Sequence, residues 1–554
     1  MRVNKSKWRI AGIAAAVALV VPLGFFVRSA VAPVPPGSGV ESFGASTGAD
    51  WPTWQKDLSG SRYNAAESKI TPATVAGLKL KWAYTYPDVP FARMGSQPAV
   101  TDGVLYVGGP DGKFRALDAK SGATRWTYDL TPVAGPWTDQ NPNLIRDGAA
   151  VSGDLVYFGD SRGFVYGLDK RTGAKRWATR VDEHAATWMS SSPMVLDGKV
   201  YIGVSSNEAG SANLPTYACC SFSGHVEALD ARTGSVVWNL PLLPPAKRIG
   251  TWPTGAPKYG PAGAAVWSSP VIDAETRTLY VGTGNAHTGT GAEEMENIDS
   301  VLAVDLDRGT IRWKRQMQYD DVHNQSCTWP DPAEYCPSHY NGNAKNFDFG
   351  ATGNLYKING RKVLGIAQKA GVFWAMDART GETIWHTQLS TPDMAHEDPG
   401  SAGTPWGSSF DGKHIYVATW RGNPATLYSL DARTGRVEWK TTHPADGCGT
   451  GGAAKFADLC ERAFPSAVST TPGLVYEGSA DGKMRIFSAA DGRLLWQFDA
   501  VRDFQGVNGV TGMGRAIGAN GGAVVVNGML YVQAGYYPFY PSDGKGTVLL
   551  AFGL

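Results

Sequence analysis

Charge is scarce in this sequence, and neither sign is in excess. Asp, Glu, Lys and Arg make up 18% of the 554 residues, against roughly 25% in an average globular protein, and 51 basic residues face 50 acidic ones. Binding to nucleic acid through phosphate contacts is therefore disfavoured, because it needs a basic surface. A disordered chain is also excluded, since disorder needs few apolar residues, whereas 43% of this chain is hydrophobic.

Cysteine is also infrequent, and its spacing excludes two kinds of site. The six cysteines include no C-x-x-C-H haem attachment motif and no zinc-finger spacing. They form three close pairs, which predicts short disulfide-closed loops in an oxidising compartment, with six free thiols as the alternative. The pairs are Cys219 with Cys220, Cys327 with Cys336, and Cys448 with Cys460.

The amino end has no acidic residue before a long apolar run. Residues 2–9 carry four basic side chains and residues 10–27 carry no charge, which is typical of a signal peptide or a membrane anchor. Since Pro33 would follow a cut after the A-x-A at residues 30–32, and the apolar run is long for a signal peptide, we favour an uncleaved anchor on the outer face of the cytoplasmic membrane, with secretion as the alternative. The chain then divides into a signal or anchor segment (1–28), a flexible linker (29–48) and a folded domain (49–554).

Glycine and tryptophan are abundant, with 68 Gly and 19 Trp, and one recurring phrase contains both. It reads L-D-A-x-[ST]-G-x-x-x-W, with variation. Alternating apolar residues predict a strand, Asp-x-x-[ST]-Gly predicts a tight turn with Gly at positive φ, and a second strand ends in a buried Trp. The seven complete copies end at Trp126, Trp177, Trp238, Trp313, Trp385, Trp439 and Trp496.

An eighth copy is split between the two ends of the chain. LKLKW ends at Trp82 without a preceding strand, and VLLAF at Val548–Phe552 supplies the missing strand. Another hairpin lies upstream of most copies, so each unit holds about four strands, and the insertions between units vary in length. The sequence therefore predicts an all-β, eight-bladed propeller whose last blade is closed by both chain ends. A solenoid of similar period is the alternative.

Several segments carry a family resemblance. The opening DWPTWQKDLSGSRYN at residues 50–64, with the Trp phrases, resembles the pyrroloquinoline-quinone (PQQ) dehydrogenases, or quinoproteins. Four further segments are most similar to the polyvinyl alcohol dehydrogenase-like group, and the resemblance covers residues 49–554. These segments are YACCSFSGHVEALDARTG, GAAVWSSPVIDAETRTLYVGTGN, RQMQYDDVHNQSC and AQKAGVFWAMDARTG.

The resemblance implies two cofactors, PQQ and calcium. In this family PQQ lies flat in the axial funnel, and a metal ion, usually calcium, bridges it to the protein. Glu208 in GVSSNEAG and Asn285 in YVGTGN match the family's metal-binding glutamate and asparagine. Calcium prefers such oxygen ligands. A solvated loop carboxylate and a turn asparagine are the ordinary alternatives.

Five other positions match residues that contact PQQ in the family. Trp267 would stack beneath the quinone, Arg146 would pair with a PQQ carboxylate, and Lys369 would contact the quinone oxygens and stabilise negative charge during reduction. Ser190 matches a hydroxyl position near the cofactor, and Trp406 matches a position that lines the ring. Core packing and surface ion pairs are the alternatives for these residue types.

Two features depart from the methanol dehydrogenase pattern. The first is Cys219–Cys220, which follows Glu208, as in the polyvinyl alcohol dehydrogenase-like group, rather than preceding Arg146. An adjacent-residue disulfide there is expected to contribute to cofactor binding, and two buried thiols are the alternative.

The second departure concerns the general base. A gapless alignment puts Asn324 where the alcohol-oxidising members have an aspartate, and an amide cannot accept the proton. We therefore expect Asp321 to act as the base, with Asp320 as a second candidate. Both acids would otherwise only cap their loop.

These observations predict an exported PQQ- and calcium-dependent alcohol dehydrogenase. A secondary alcohol, small or polymeric, is the expected substrate. Electrons would pass to an external cytochrome c or quinone, because the sequence has no haem motif. The alternative is a non-catalytic propeller that serves as an envelope scaffold or binding module, which Asn324 would favour.

Overall fold

The computed structural model describes residues 39–42, 48–89, 95–138, 142–288, 295–327, 336, 345–392, 403–404, 406–421, 424–518, 521–536 and 545–554. The proposed signal or anchor segment and most of the proposed linker lie outside these residues. Among the helices that the structure describes, none is both long and apolar enough to span a membrane.

Seven four-stranded antiparallel sheets and one five-stranded sheet contain most of the described strands. The prediction of an eight-bladed, all-β propeller is confirmed. Blades 1 to 4 are formed by Ala99–Thr101, Val104–Gly108, Lys113–Asp118 and Thr124–Asp129; by Ala150–Ser152, Leu155–Gly159, Phe164–Asp169 and Lys175–Arg180; by Met194–Leu196, Lys199–Val204, His225–Asp230 and Val236–Pro241; and by Val271–Asp273, Thr278–Gly282, Ser300–Asp305 and Ile311–Gln316.

The remaining blades follow the same strand order, and the last one joins both ends of the chain. Blades 5 to 8 are formed by Asn354–Ile358, Arg361–Ala367, Val372–Asp377 and Thr383–Gln388; by Ser409–Phe410, His414–Ala418, Thr426–Asp431 and Val437–Thr442; by Ser469–Thr471, Leu474–Gly478, Lys483–Ser488 and Leu494–Asp499; and by Val524–Val526, Met529–Ala534, Val548–Gly553 and Lys79–Thr85.

A few short elements decorate the blades. Three two-stranded sheets pair Lys247–Thr251 with Pro257–Gly260, Ala262–Gly263 with Ala286–Thr288, and Asp503–Gln505 with Thr511–Met513. Short helical turns occupy Val75–Gly77, Thr131–Ala134, Glu208–Ser211, Gln325–Cys327, Gly447–Gly449 and Gly451–Phe456. All three expected cysteine pairs are disulfide-bonded.

One strand lies within the segment interpreted as linker. Val40–Ser42 pairs antiparallel with Asn354–Ile358 and adds a fifth strand to blade 5. Val40 also packs against the core of that blade. The linker interpretation therefore does not hold for these three residues, because backbone pairing and one apolar contact tie them to the sheet.

The repeated phrase is an interlock between neighbouring blades. The Nε1 of each outer-strand Trp donates to a carbonyl in the turn of the next blade, at 2.9–3.3 Å. In the turn that receives Trp238, Asp305 Oδ1 accepts from the amides of Asp307 and Arg308. The last contact, from Trp496 to the carbonyl of Leu78, closes the ring. Each copy of the phrase thus closes its own turn and docks on its neighbour.

The turn glycine has a second function in this interlock. Gly309 has φ of +67°, and a Cβ there would lie 2.5 Å from the indole of Trp238. Gly198 has a similar φ of +73°, but nothing lies within 4 Å of the place its Cβ would take. The two positions therefore separate backbone strain from the contact between blades.

We expect Gly309→Ala to lower the free energy of unfolding by about 3 kcal/mol, because strain and a clash with Trp238 add. Gly198→Ala, the matched control, should cost about 1 kcal/mol from strain alone. The midpoints of urea unfolding measure both effects. Equal losses would contradict the interlock.

Candidate active site

The residues singled out in the sequence occupy two kinds of position in the blades. Arg146, Ser190, Trp267 and Trp406 precede the first strand of a blade, whereas Glu208, Asn285 and Lys369 follow the second strand. Because neighbouring strands are antiparallel, the start of the first strand and the end of the second lie at the same end of the sheet. The topology therefore brings all seven to one face of the propeller.

Two tryptophans and a lysine meet on this face. The rings of Trp267 and Trp406 are 5.2 Å apart and packed edge to face, and Lys369 Nζ lies 5.9 Å from the Trp267 ring centroid. Gly350 lies against the same indole, since a Cβ there would come within 1.8 Å of it. A side chain at position 350 would displace Trp267, so glycine is required for the indole to keep its place.

Asp348 is a carboxylate close to this aromatic group, since a Cβ at Gly284 would contact both Trp267 and Asp348, and the sequence analysis missed it. Its Oδ1 accepts from the backbone amide of Asn285 at 2.8 Å, and its Oδ2 lies 3.5 Å from Lys369 Nζ. The same ammonium group donates to Asn346 Oδ1 at 2.5 Å. Asp348 is 7% exposed. One carboxylate thus links two of the predicted site residues.

Asp321, the expected base, is a buried neighbour of Asp348. It is fully buried, and its Oδ2 accepts from the amide of Phe347 at 2.6 Å. Burial, with the negative charge of Asp348, raises the pKa of Asp321 to about 7. The second candidate, Asp320, is an exposed acid that pairs with Lys345 at 2.6 Å.

A second buried acid accompanies Asp321. Neither carboxylate oxygen of Asp299 has a hydrogen-bond partner among the described residues. Burial and the charge of Asp321 raise the pKa of Asp299 well above its ordinary value, which favours the protonated form. The two acids therefore form a poorly solvated group beside Asp348.

Glu208 is a fully buried carboxylate that is surrounded by three segments of the chain. Its oxygens accept from the amides of Ser221 at 2.7 Å and Phe222 at 2.9 Å. His184 Nε2 lies 3.5 Å away and His287 Nδ1 lies 3.7 Å away. Burial alone would raise the pKa of Glu208, but the two histidines and the Ser221 amide outweigh it and hold the pKa well below its usual range.

Asn285 precedes Ala286–Thr288, the strand that carries His287, and His287 is the residue of this strand that lies 3.7 Å from Glu208. Asn285 Nδ2 donates to the carbonyls of Ala286 at 2.7 Å and His323 at 2.8 Å. These two bonds fix the amide and leave Oδ1 as the outward ligand atom. Since residues two apart on an extended segment face the same way, Asn285 and His287 point to the side where Glu208 lies.

The Cys219–Cys220 disulfide borders the same region. Cys220 Sγ, a Glu208 oxygen and a His287 nitrogen lie within 4.8 Å of one another. Cys219 is 3.9 Å from Asn324 Nδ2, and Asn324 also donates to the carbonyl of His287 at 3.1 Å. Asn324 therefore orders backbone beside the disulfide, which is a structural role that the gapless alignment did not suggest.

The two remaining residues belong to blades 2 and 3. Arg146 is 8% exposed, and its guanidinium lies 5.4 Å from the ring of Trp188. Ser190 is 5% exposed and precedes Ser191 and Ser192, whose hydroxyls accept from backbone amides of neighbouring segments. Their place on the site face is compatible with the expected contacts to a cofactor.

Comparison with known proteins finds family models that match most of the chain. Residues 51–328 match the family model "PQQ: Glucose/ethanol/alcohol dehydrogenase, beta-propeller domain", and residues 369–540 match the model "Outer membrane protein assembly factor BamB". Polyvinylalcohol dehydrogenase from Sphingopyxis sp. (strain 113P3) is 31% identical over 91% of this chain and 76% of its own length. The enzyme of the same name from a Pseudomonas species is 30% identical over 92% of this chain and 78% of its own.

A solved structure supports the fold. The quinohemoprotein alcohol dehydrogenase from Comamonas testosteroni superposes with a TM-score of 0.66 at 20% identity. The superposition covers 92% of this chain and 81% of that enzyme.

Proposed function

The chain belongs to the PQQ-dependent dehydrogenases, and from that premise we propose that it is an exported, calcium-dependent enzyme that oxidises secondary alcohols, including polymeric ones. It is a PQQ-dependent alcohol oxidoreductase by family. One observation carries the proposal for the site: Asp348 lies between Asn285 and Lys369, beside Trp267. A base, a cation, an amide ligand and a flat aromatic surface thus meet in one place.

The residues present fit a planar, anionic quinone. Trp267 offers a flat indole that Gly350 lets into place, and Trp406 borders it with an Nε1 that has no partner among the described residues. Lys369 and Arg146 would supply positive charge for the oxygens and carboxylates of PQQ. Ser190 would add a hydroxyl at the rim. Cys219–Cys220 would border the cofactor from the side of Glu208.

The donor set also fits calcium. The lowered pKa of Glu208 favours its ionised form despite full burial, and Asn285 offers an amide oxygen while its nitrogen donates to two carbonyls. Both are hard oxygen ligands. Cys220 is disulfide-bonded, so it offers no thiolate to a softer metal. PQQ held by these residues would supply a two-electron acceptor for the alcohol, and the metal ion would supply Lewis acidity.

Asp348, rather than Asp321, is the proposed general base. The base must lie within hydrogen-bond reach of the substrate hydroxyl, and Asp348 is the carboxylate that contacts both Asn285 and Lys369. Asp321 is enclosed beside it, with one oxygen bound to the Phe347 amide. Asp321 would then orient the segment that carries Asp348. Lys369 would pair with Asp348 and stabilise negative charge that develops nearby.

The substrate class rests on the relatives, and the external electron acceptor rests on the lack of a haem attachment motif in the sequence. Two relatives are named polyvinylalcohol dehydrogenases, and a polymer of secondary alcohols can enter a site that opens on the propeller face. An external cytochrome c or quinone would remove the electrons. The apolar amino-terminal run would direct the enzyme across the membrane and either anchor or release it.

The test is the alcohol-dependent reduction of a dye by the enzyme loaded with PQQ and calcium. We expect kcat/KM for 2-butanol and for 2,4-pentanediol to exceed that for ethanol by about tenfold, and polyvinyl alcohol to be oxidised. A preference for primary alcohols would contradict the substrate class. If no alcohol reduces the dye, the proposal that this site oxidises alcohols is wrong.

A further inference from the structure

A basic hairpin stands beside the disulfide, and no part of the proposed chemistry uses it. It consists of Lys247–Thr251 and Pro257–Gly260, joined by a turn. The stretch from residue 231 to residue 272 contains no Asp or Glu, although the whole chain has nearly equal numbers of acidic and basic residues. Three basic residues of this acid-free stretch, Lys247, Arg248 and Lys258, are on the hairpin.

The hairpin's first strand is solvent-exposed along its whole length. Among the described residues, neither Lys247 nor Arg248 forms an ion pair. Arg248 makes only long contacts with Gly250 and Thr251, at 3.5 and 3.4 Å. Ile249, between these positions, is 41% exposed. The strand therefore presents unneutralised positive charge with an apolar residue in its midst.

The second strand connects this surface to the site. Tyr259 donates to the carbonyl of Cys219 at 2.9 Å, and the Cys220 amide donates back to the Tyr259 carbonyl at 3.3 Å. Trp252 Nε1 donates to the same Cys219 carbonyl at 3.0 Å. Cys220 Sγ lies within 4.8 Å of a Glu208 carboxylate oxygen. The disulfide therefore connects the hairpin to the proposed metal ligand.

We propose that this hairpin is the docking surface for an electron-accepting protein with an acidic face. The inference rests on the proposed function, which requires an external acceptor. Oxidation of a secondary alcohol to a ketone releases two electrons and two protons, so two one-electron haem acceptors would dock and leave in turn. Unpaired basic residues steer an acidic partner, and exposed Ile249 suits the small apolar centre of a transient interface.

A docking site of this kind can be tested with one acceptor protein that is prepared in a basic form and in an acidic form. Native horse cytochrome c is basic, and succinylation of its lysines makes it acidic. We expect the loaded enzyme to reduce the succinylated form faster at low ionic strength, and the advantage to vanish as salt screens the charges. A neutral short-chain ubiquinone serves as the acceptor that needs no docking.

The test variant is Lys247→Glu/Arg248→Glu. It should lower kcat/KM for succinylated cytochrome by about tenfold, and should weaken binding of that cytochrome to the cofactor-free enzyme by a similar factor in calorimetry. Lys120→Glu/Arg171→Glu, on exposed turns of blades 1 and 2, changes the net charge equally and should change both values less than twofold. Rates with ubiquinone should stay within twofold in both variants.

Each other outcome has a definite meaning. Equal losses in the two variants would show a net-charge effect and overturn the docking surface. Unchanged cytochrome kinetics with lost binding to anionic phospholipid vesicles would assign the hairpin to a membrane instead. Reduction of ubiquinone alone would keep the proposed function and overturn a protein acceptor. Reduction of no acceptor at all would overturn the proposed function itself.

Discussion

Asp348→Asn is expected to lower kcat for alcohol oxidation by about 10³-fold while PQQ and calcium remain bound. The amide keeps the size and the hydrogen bond from the Asn285 amide, but it cannot accept the hydroxyl proton. The measurement is kcat with a secondary alcohol, beside the quinone absorbance retained by the same protein. A variant that keeps most of its activity would show that another group takes the proton.

Asp321→Asn is the matched control, because Asp321 is a neighbouring buried aspartate. It should change kcat by less than about tenfold, since it orients rather than reacts. A 10³-fold loss in Asp321→Asn, with Asp348→Asn active, would restore the expectation formed from the sequence alone.

Asp321→Asn should also change the pH dependence of thermal stability, and the direction of the change can be stated. Because burial raises the pKa of Asp321 to about 7 from its ordinary value of 3.8, the folded state holds the proton more tightly than the unfolded state. Its contribution to stability is full below pH 3.8 and is lost as the pH rises through about 7. Asp321→Asn should therefore unfold at a higher temperature than the parent protein at pH 8 and show little gain at pH 4.

Glu208→Gln has the second large expected effect, on cofactor retention. It removes the one negative charge of the proposed donor pair and should weaken calcium binding by about 100-fold, and PQQ retention with it. Calorimetric titration with calcium and the quinone absorbance after gel filtration measure the two losses.

Glu227→Gln is the control for loss of a buried acid in the same blade, since Glu227 is 2% exposed and lies on His225–Asp230. It should leave calcium affinity within about twofold. Circular dichroism checks that both variants fold. Equal calcium affinity in Glu208→Gln and the parent would remove Glu208 from the metal site.

The propeller could be predicted because the residues that form the contact between neighbouring blades lie close together in the sequence. Asp305, Gly309 and Trp313 lie within nine residues, so the turn, the positive φ and the docking indole all appear in one phrase. The sequence also indicated Trp267, Lys369 and Asn285 as candidates, because each lies in a segment that resembles the family.

Asp348, the proposed base, could not be found in this way. Asp321 and Asp348 are 27 positions apart, yet the amide of Phe347 donates to Asp321, so the two acids are neighbours in space. The intervening chain contains the Cys327–Cys336 disulfide. A gapless alignment runs into this loop and stops at Asn324. The folded chain brings Asp348 next to Asp321 after this loop, and the sequence alone does not show that contact.

The most direct test is the binding of PQQ to the unaltered domain. Residues 39–554, which include the strand Val40–Ser42, are mixed with PQQ and calcium and passed through a gel-filtration column, and the quinone absorbance of the protein peak is recorded before and after a secondary alcohol is added. The account predicts about one quinone per chain, retained only with calcium and reduced by the alcohol. Protein that emerges without quinone at micromolar PQQ would contradict it.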